Sequence, residues 1–286
     1  GYEVVVLTTT PHYNIVKSQL AAQPLKWKIL GICKESNFHG IRVLHVPQKK
    51  FKCTFLRILG FTYWHVVSFF ICLFQKDIDV ILSPSPPLTI GVINLWLAKI
   101  KGCKTIYNVQ EIYPDILKRK GGLVIELLHK MERYVYSHST AVTTIDQVFY
   151  NVIVERFRDK SKLHIIPNFV DTELYNPHSG NISLLDSNLF PTTASLKLLY
   201  AGNIGFAQDW EPLIRLAERT KGCPFEYFII GEGVMKTYLE EKVCELGLTN
   251  VHILPYQPRS LMPSILAYSD LQFIFMNPDM EMQGFP

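Results

Sequence analysis

The chain has 286 residues, of which 48% are apolar and 19% are charged, and its formal net charge is +4. This length is typical of two domains, and the apolar content excludes a disordered chain. The charge is small and no long run of like charges occurs, so a nucleic-acid partner is not expected.

Six cysteines are scattered through the chain without a C-x-x-C pair, and no histidine cluster completes a set of metal ligands. The sequence therefore predicts buried, reduced thiols and no metal site. The chain opens on a predicted strand, without a signal peptide or an initiator methionine. Together these features indicate a cytoplasmic protein.

Short β-branched runs alternate with helical segments through residues 1–178, which we predict to form the first domain. This alternation is typical of parallel sheets covered by helices. Strands are predicted at Val4–Thr8, Ile41–Val46, Val80–Leu82, Thr105–Val109, Ala141–Thr144 and Leu163–Ile166, with helices near 52–75, 88–101, 123–137 and 146–157.

The segment from Ile58 to Gln75 carries no formal charge. Its length is at the lower limit for a membrane-spanning helix, and several polar residues interrupt it. The alternatives are a core helix or a helix that lies against the bilayer with its aromatic residues at the interface. The sequence favours these two alternatives over a spanning helix.

Residues 179–195 mix Pro, Gly, Asn, Ser and Thr without periodicity, as a linker or surface excursion does. The alternation then resumes and predicts a second α/β domain over 196–286, facing the first across a cleft. Its strands are predicted at Leu196–Ala201, Phe225–Ile230, Val251–Leu254 and Leu271–Phe275, with helices near 209–220, 234–247 and 258–268.

Two glycine turns follow neighbouring strands of the second domain. One runs from Gly202 to Gly205 and leads to Asp209, a candidate helix N-cap; the other, from Gly231 to Gly233, leads to Lys236. Glycine lets the backbone approach a phosphate, and a helix N-terminus attracts anions. For each turn taken singly, the alternative to phosphate binding is a tight turn with a purely structural role. Two turns on one rim favour phosphate or nucleotide binding.

In the first domain, Glu111 and Asp115 follow a predicted strand and are candidates for a base or for binding sugar hydroxyls. Helix capping is the alternative for Asp115. The chain ends soon after a predicted strand at the point where a covering helix is expected, so the sequence indicates a truncated domain.

Several motifs together resemble one family. They are SPSPP, QEIYPD, IPNFVDTELYNP, YAGNIGFAQDW, IIGEGVMKTYLEE and NVHILPYQPRSLMPSILAYSD. The chain resembles the retaining glycosyltransferases of family 4, which have the GT-B fold of two Rossmann-like domains. Within that family it is most similar to bacterial enzymes that build capsule, colanic-acid or O-antigen sugars on lipid carriers. By this resemblance it is truncated at both ends.

The resemblance implies transfer of a sugar from a nucleoside diphosphate, UDP above all, to a hydroxyl of a lipid-linked or polysaccharide acceptor. It implies no cofactor and no metal, and a place in the cytoplasm or at the inner face of the plasma membrane. Glu281 matches the first glutamate of the family's E-x7-E motif, and Glu111 is a candidate for orienting the acceptor. The implied donor-binding residues are Gly202, Asn203, Gly205, Gln208, Gly231, Gly233, Lys236 and Tyr256.

Two of the departures of the sequence from the family pattern concern the donor site. Gln208 stands in the region where a lysine is expected, and the second glutamate of the E-x7-E motif would fall beyond the last residue. Two other functions therefore stay open: a non-hydrolysing UDP-sugar 2-epimerase, and a non-catalytic binding or assembly protein with a degenerate transferase fold.

Overall fold

The computed structural model describes residues 1–11, 20–21, 23–29, 31–49, 51, 53–115, 122–176 and 178–278. The chain divides into two compact units, Gly1–Ile166 and Pro167–Pro286. This division precedes the predicted domain boundary at residue 178.

The first unit begins with a four-stranded sheet in the order β1-β4-β3-β2. β1 is parallel to β4, whereas β3 is antiparallel to both of its neighbours. Sequence analysis missed β2 and β3, because their sequences KWK and CKESNF lack the apolar alternation that marks a half-buried strand. The strands are β1 (Val5–Thr9), β2 (Lys26–Lys28), β3 (Cys33–Phe38) and β4 (Ile41–Val46).

A second sheet of the first unit is parallel throughout, and its strands follow chain order. All four strands were predicted, because their β-branched and apolar runs are those of a sheet buried on both faces. They are β5 (Val80–Ser85), β6 (Lys104–Val109), β7 (Ala141–Thr144) and β8 (Leu163–Ile165).

The helices described in full between these strands are α1 (Thr54–Leu73), α2 (Leu88–Lys101), α3 (Leu123–His138) and α4 (Gln147–Val154). Gly91 of α2 lies so close to β6 and α3 that an added Cβ would be 2.7 Å from the side chains of Tyr107 and Val135. The Asp146 carboxylate caps α4 by accepting a hydrogen bond from the Phe149 amide at 2.7 Å. A glycine thus permits close packing of α2, and a capping aspartate fixes the start of α4.

Within the described residues, α1 is long and apolar enough to cross a membrane, and only 17% of its most apolar window is buried. The other side of α1 packs on the first sheet, where Ile71 belongs to the same core as Leu44 of β4. One line of exposed apolar side chains, the apolar stripe, runs along α1 at spacings of three and four residues. The apolar stripe consists of Phe55, Leu59, Tyr63, Val66 and Phe70.

The second unit contains one parallel sheet in the order β11-β10-β9-β12, covered by helices. Side chains of β9 alternate between two cores: Tyr200 packs with Trp210, and Leu199 packs with Phe228. The unit is thus Rossmann-like, as predicted. Its strands are β9 (Leu196–Ala201), β10 (Phe225–Ile230), β11 (Val251–Leu254) and β12 (Leu271–Gln272), and its helices are α5 (Trp210–Arg219), α6 (Lys236–Glu245) and α7 (Met262–Tyr268).

The stretch 179–195 packs on the second unit. Phe190 is 5% exposed and contacts the rings of Phe228 and Tyr268. The Tyr268 hydroxyl donates to the Pro191 carbonyl at 2.6 Å. The sequence did not predict the burial of Phe190, because the stretch is rich in turn-forming residues and one buried phenylalanine makes no periodic pattern.

The cysteines are unpaired, and their burial differs from the expectation. Cys33 is buried, whereas Cys53, Cys223 and Cys244 are exposed. The prediction of buried thiols was therefore wrong for these three. Apolar sequence neighbours do not bury a side chain that lies at a helix end or in a surface turn.

Candidate functional site

The two glycine turns of the second unit meet at one edge of its sheet. β9 and β10 are parallel neighbours, with Ala201 opposite Ile230 at their carboxyl ends. The Gly202 amide donates to the Ile230 carbonyl at 2.9 Å, and the Ile204 amide donates to the Glu232 carbonyl at 3.0 Å. The predicted meeting of the two turns is thus what the structure contains.

Glycine is required where the turns touch. A Cβ at Gly231 would lie 1.8 Å from the Gly202 carbonyl oxygen, and a Cβ at Gly233 would lie 2.1 Å from the Ile204 carbonyl oxygen. Both neighbouring atoms belong to the backbone, so no side-chain rotation makes room. Close backbone contact between two strand ends is therefore the local reason for these glycines.

Part of the turn backbone is already hydrogen-bonded within the protein. Besides the Gly202 and Ile204 amides, the Gly231 amide donates to the Leu254 carbonyl at 3.4 Å. A further amide, that of Gly205, donates to the Gln208 side-chain Oε1 at 3.2 Å. The Asn203, Glu232 and Gly233 amides donate to no acceptor among the described residues. These three are the donors left for an anion.

Positive charge lies next to these amides. Lys236 is the first residue of α6, and its ammonium pairs with the Glu232 carboxylate at 2.8 Å. The positive end of the α6 dipole faces the same turn. An anionic group bound here would meet the helix end and would compete with Glu232 for Lys236.

Two buried aromatic residues hold the first turn in place, and sequence analysis did not assign either of them a role. The Trp210 indole donates to the Gly205 carbonyl at 3.1 Å, and the Tyr200 hydroxyl donates to the Asn203 carbonyl at 2.8 Å. Burial raises the pKa of Tyr200 to about 12, so this hydroxyl remains a donor. The signal available was their position on either side of the GNIG turn. Asp209 is at the N-cap of α5, as predicted, but its side chain makes no capping hydrogen bond.

Of the other predicted donor-site residues, Tyr256 follows β11, the neighbour of β10, and is 43% exposed. Tyr256 therefore follows the carboxyl end of β11, at the same edge of the sheet as the glycine turns. Glu281 falls outside the described residues.

Glu111 belongs to the first unit and follows β6. Its backbone carbonyl accepts from the Ser85 hydroxyl at 3.4 Å, which ties it to the end of β5. Burial raises the pKa of the Glu111 carboxyl. Next to Glu111, the Gln110 side-chain amide donates to the Asn108 side-chain oxygen at 2.6 Å. The Asn108 side-chain amide in turn donates to the Thr143 hydroxyl at 2.9 Å. Polar groups thus line the carboxyl edge of this sheet too.

Asp115 has a role that neither sequence alternative described. It is 5% exposed and pairs with Arg156, whose other terminal nitrogen donates to both oxygens of Glu132 at 2.7 and 2.9 Å. Tyr136 donates to Glu132 at 2.9 Å, and His129 lies 3.3 Å from it. We call these five residues the buried ion cluster.

Burial raises the pKa of Glu132 although Arg156, Tyr136 and His129 oppose the shift. For Arg156, burial lowers the pKa, but Glu132 and Asp115 outweigh it and the net direction is upward. Sequence analysis missed Glu132 and Arg156 because each is a common helix or helix-end charge. The available signal was the position of Glu132 on the helix face that also buries Val135 and Tyr136.

The described part of the chain contains no group of three His, Cys, Asp or Glu side chains placed to hold a metal ion.

Comparison with known proteins gives the class. The structure resembles that of HepE from Anabaena in complex with UDP and glucose, with a TM-score of 0.60 and 14% identity over 94% of this chain and 65% of that one. It also resembles the catalytic domain of starch synthase IV from Arabidopsis thaliana bound to ADP and acarbose, with a TM-score of 0.61 and 14% identity over 84% and 62% of the two chains. The chain thus spans less than two thirds of either structure. The fold is that of the GT-B glycosyltransferases.

The sequence gives the family. Residues 1–174 match the model of Glycosyltransferase Family 4, so the chain belongs to this family. It is 27% identical over 285 residues to the putative colanic acid biosynthesis glycosyl transferase WcaI of Escherichia coli K12, covering 96% of this chain and 69% of that protein.

Proposed function

We propose that the chain is part of an enzyme that transfers a sugar, with retention of configuration, from UDP to a hydroxyl of a lipid-linked or polysaccharide acceptor. The observation that carries this proposal is the pair of touching glycine turns, with three unpartnered amides and Lys236 beside them. HepE, a structure of the same fold, was solved with UDP. WcaI is named for colanic acid biosynthesis.

The chemistry required of the donor site is charge stabilisation. As the glycosidic bond breaks, the leaving diphosphate gains negative charge, and oriented donors that bind it more tightly than the ground state lower the barrier. The Asn203, Glu232 and Gly233 amides, the end of α6 and the Lys236 ammonium supply such donors. In this proposal no metal or cofactor takes part. Gln208 holds the first turn and adds no charge.

Two glutamates complete the proposal. Glu281 binds hydroxyls of the donor sugar, as its place in the family motif implies. Glu111 orients the acceptor hydroxyl from the edge of β5 and β6, where its half-buried carboxyl retains a proton to higher pH than a free glutamate does.

Lys236→Met is expected to weaken UDP binding about tenfold, because it removes one charge-assisted contact to a phosphate. Lys242→Met is the matched control. Lys242 is on the same helix and pairs with Glu245 at 2.8 Å, the same distance that joins Lys236 and Glu232. Isothermal titration calorimetry with UDP, GDP and UDP-sugars measures the effect.

If Lys236→Met and Lys242→Met bind UDP with equal affinity, Lys236 does not contact the nucleotide. No binding of any nucleotide by the unsubstituted protein would favour the non-catalytic binding protein. Inversion at C2 of a UDP-sugar, detected by NMR without an acceptor, would favour the epimerase.

We also propose that the first unit rests on the inner face of the plasma membrane through the apolar stripe of α1. Exposed aromatic and aliphatic side chains at helical spacing are typical of a helix that lies in the bilayer interface, and those of the apolar stripe are 47% to 66% exposed. This position would place the acceptor-side unit next to a lipid-linked acceptor.

The double variant Leu59→Glu, Val66→Glu is expected to lose vesicle binding at least about tenfold, since two carboxylates on the apolar stripe would have to enter the bilayer interface. Sedimentation with vesicles of phosphatidylglycerol and phosphatidylcholine measures the bound fraction. Leu216→Glu is the control, because Leu216 is 46% exposed on α5 of the other unit. Unchanged binding of the double variant would contradict this proposal.

A further inference from the structure

An open cavity of about 550 Å³ lies in the first unit between the hairpin of β2 and β3 and the first half of α1. One of its walls follows the carboxyl ends of two parallel strands. Thr10 comes after β1, Gln48 comes after β4, and the Gln48 amide donates to the Thr10 hydroxyl at 3.1 Å. Ligand sites of α/β sheets lie at these strand ends. The cavity is therefore at an edge where a ligand is expected.

Three aromatic side chains line this cavity: Trp27 of β2, Phe51 ahead of α1, and Tyr63 of α1. Trp27 is 58% exposed and Tyr63 is 47% exposed. Aromatic surface left open around a concavity is typical of ligand-binding sites, since a bound molecule covers it. The rings thus offer apolar contact to a ligand.

The charged side chains among the described residues that line the cavity are two lysines, Lys34 and Lys49, and none of these residues is acidic. Lys34 of β3 lies directly opposite Trp27 of β2, and its ammonium is 4.7 Å from the centre of the indole. Residues opposite each other on paired strands point to the same face. Pairing of the two strands therefore places a cation and an aromatic ring side by side in the cavity.

Neither lysine pairs with a carboxylate of the described residues. The sequence neighbour of Lys34 is Glu35, which points to the opposite face of β3 because side chains alternate along a strand. There Glu35 pairs with Arg42 at 2.9 Å and with Lys28 at 4.0 Å. Two uncompensated positive charges beside aromatic surface favour a ligand that is anionic at one end and apolar at the other.

The cavity also adjoins the apolar stripe of α1. Leu59 and Tyr63 belong to the stripe and line the cavity as well. A lipid whose chain lies along the stripe would therefore have its headgroup at the level of Lys34 and Lys49. This continuity indicates that the apolar part of the ligand is a lipid chain.

The same segment of α1 is tied to the edge that carries Glu111. His65, two residues after Tyr63, shares a hydrogen bond of 2.9 Å with Thr89 in the first turn of α2. α2 follows β5, where the Ser85 hydroxyl donates to the Glu111 carbonyl at 3.4 Å. Hydrogen bonds thus connect the wall of the cavity to the proposed acceptor edge.

We propose that this cavity, the headgroup cavity, binds the phosphate of a lipid-linked acceptor. Lys34 and Lys49 pair with the phosphate oxygens, and Trp27 and Tyr63 cover the adjoining apolar atoms. Two ammonium groups match a phosphate monoester or a diphosphate, whose charge near neutral pH is about −2, better than the single charge of a membrane phosphodiester. Only the assignment of the bound lipid as the acceptor rests on the proposed function.

The test uses octyl phosphate and protein labelled with 5-fluorotryptophan, without nucleotide. ¹⁹F NMR follows the Trp27 signal, which is identified by its loss in Trp27→Phe, and Trp210 of the other unit is the internal control. Three further ligands are compared below their micelle-forming concentrations. Octyl glucoside has the same chain without charge, inorganic phosphate has no chain, and dihexanoyl phosphatidylglycerol is a phosphodiester with two chains.

We expect octyl phosphate to shift the Trp27 signal and to leave the Trp210 signal unchanged. Lys34→Met should weaken this binding about tenfold, because one charge-assisted contact to the phosphate is lost. Lys49→Met should have a similar effect, and it leaves the contact between Lys34 and Trp27 intact. Lys28→Met is the matched control, since Lys28 belongs to the same hairpin but does not line the cavity.

The proposal is overturned if octyl phosphate does not shift the Trp27 signal, or if both cavity variants bind it as Lys28→Met does. An equal shift with octyl glucoside or with inorganic phosphate alone would also overturn it. Equal binding of phosphatidylglycerol would overturn the assignment to the acceptor and indicate a membrane phospholipid. Since this readout needs neither nucleotide nor sugar transfer, loss of UDP binding by the chain would leave its result intact.

Discussion

Gly231→Ala is expected to destabilise the second unit by about 2–4 kcal/mol and to abolish measurable UDP binding. The new Cβ would lie 1.8 Å from the Gly202 carbonyl oxygen, and the Gly231 backbone has φ +155. Overpacking against rigid neighbours typically costs about 1–3 kcal/mol, and a strained backbone adds a similar amount. The turns would have to separate, which moves the amides proposed to bind the diphosphate.

The measurement is urea unfolding followed by ¹⁹F NMR of protein labelled with 5-fluorotryptophan. The chain has four tryptophans, and Trp210 is the one that lies in the second unit. Gly202→Ala is the matched control, since its Cβ would meet only side-chain atoms of Tyr200, the nearest at 3.0 Å, and no backbone atom. If Gly231→Ala unfolds at the same urea concentration as Gly202→Ala, the contact between the turns does not require glycine.

Arg156→Met is expected to destabilise the first unit by about 3–5 kcal/mol, the cost typical of removing one partner from a buried ion pair. It leaves two carboxylates, Asp115 and Glu132, with side chains 3% and 1% exposed and without their guanidinium. Asp115 follows Glu111 closely in the chain, so the same change would release the segment that carries Glu111.

The loss in this variant should depend on pH. Burial raises the pKa of Glu132 in the folded protein, so its contribution to stability is full below the unfolded pKa and is lost as pH rises through the folded pKa. Without Arg156 that folded pKa rises further. The difference in free energy of unfolding between variant and unsubstituted protein should therefore be smaller at pH 5 than at pH 8.

The ¹⁹F signals of Trp64 and Trp96, both in the first unit, report this unfolding. Arg42→Met is the control, because Arg42 pairs with Glu35 at 2.9 Å on the surface, where such a pair contributes at most about 1 kcal/mol. A triple variant with Arg156→Met, Asp115→Leu and Glu132→Leu should recover much of the loss, since no buried charge remains. A loss equal to that of Arg42→Met, or one independent of pH, would contradict a buried ion cluster.

The sequence by itself determined the α/β class, most helices and strands, and the two glycine turns. These features depend on local patterns: β-branched runs form strands, and glycine marks the places where backbones approach. The sequence did not predict β2 and β3, because polar hairpin strands lack such a pattern. Their pairing is fixed by β4, which buries Leu44 and Val46 beneath α1.

The tertiary structure decided which groups of the candidate site are available. It showed that the Gly202, Ile204 and Gly231 amides are used internally and that Lys236 is paired with Glu232. It also placed Asp115 with Arg156, 41 positions away, and set Leu7 of β1 and Leu82 of β5 around one cavity. The physical reason is that hydrogen-bond partners, ion pairs and strand neighbours come from distant parts of the chain. Sequence spacing constrains local conformation, and folding alone selects those partners.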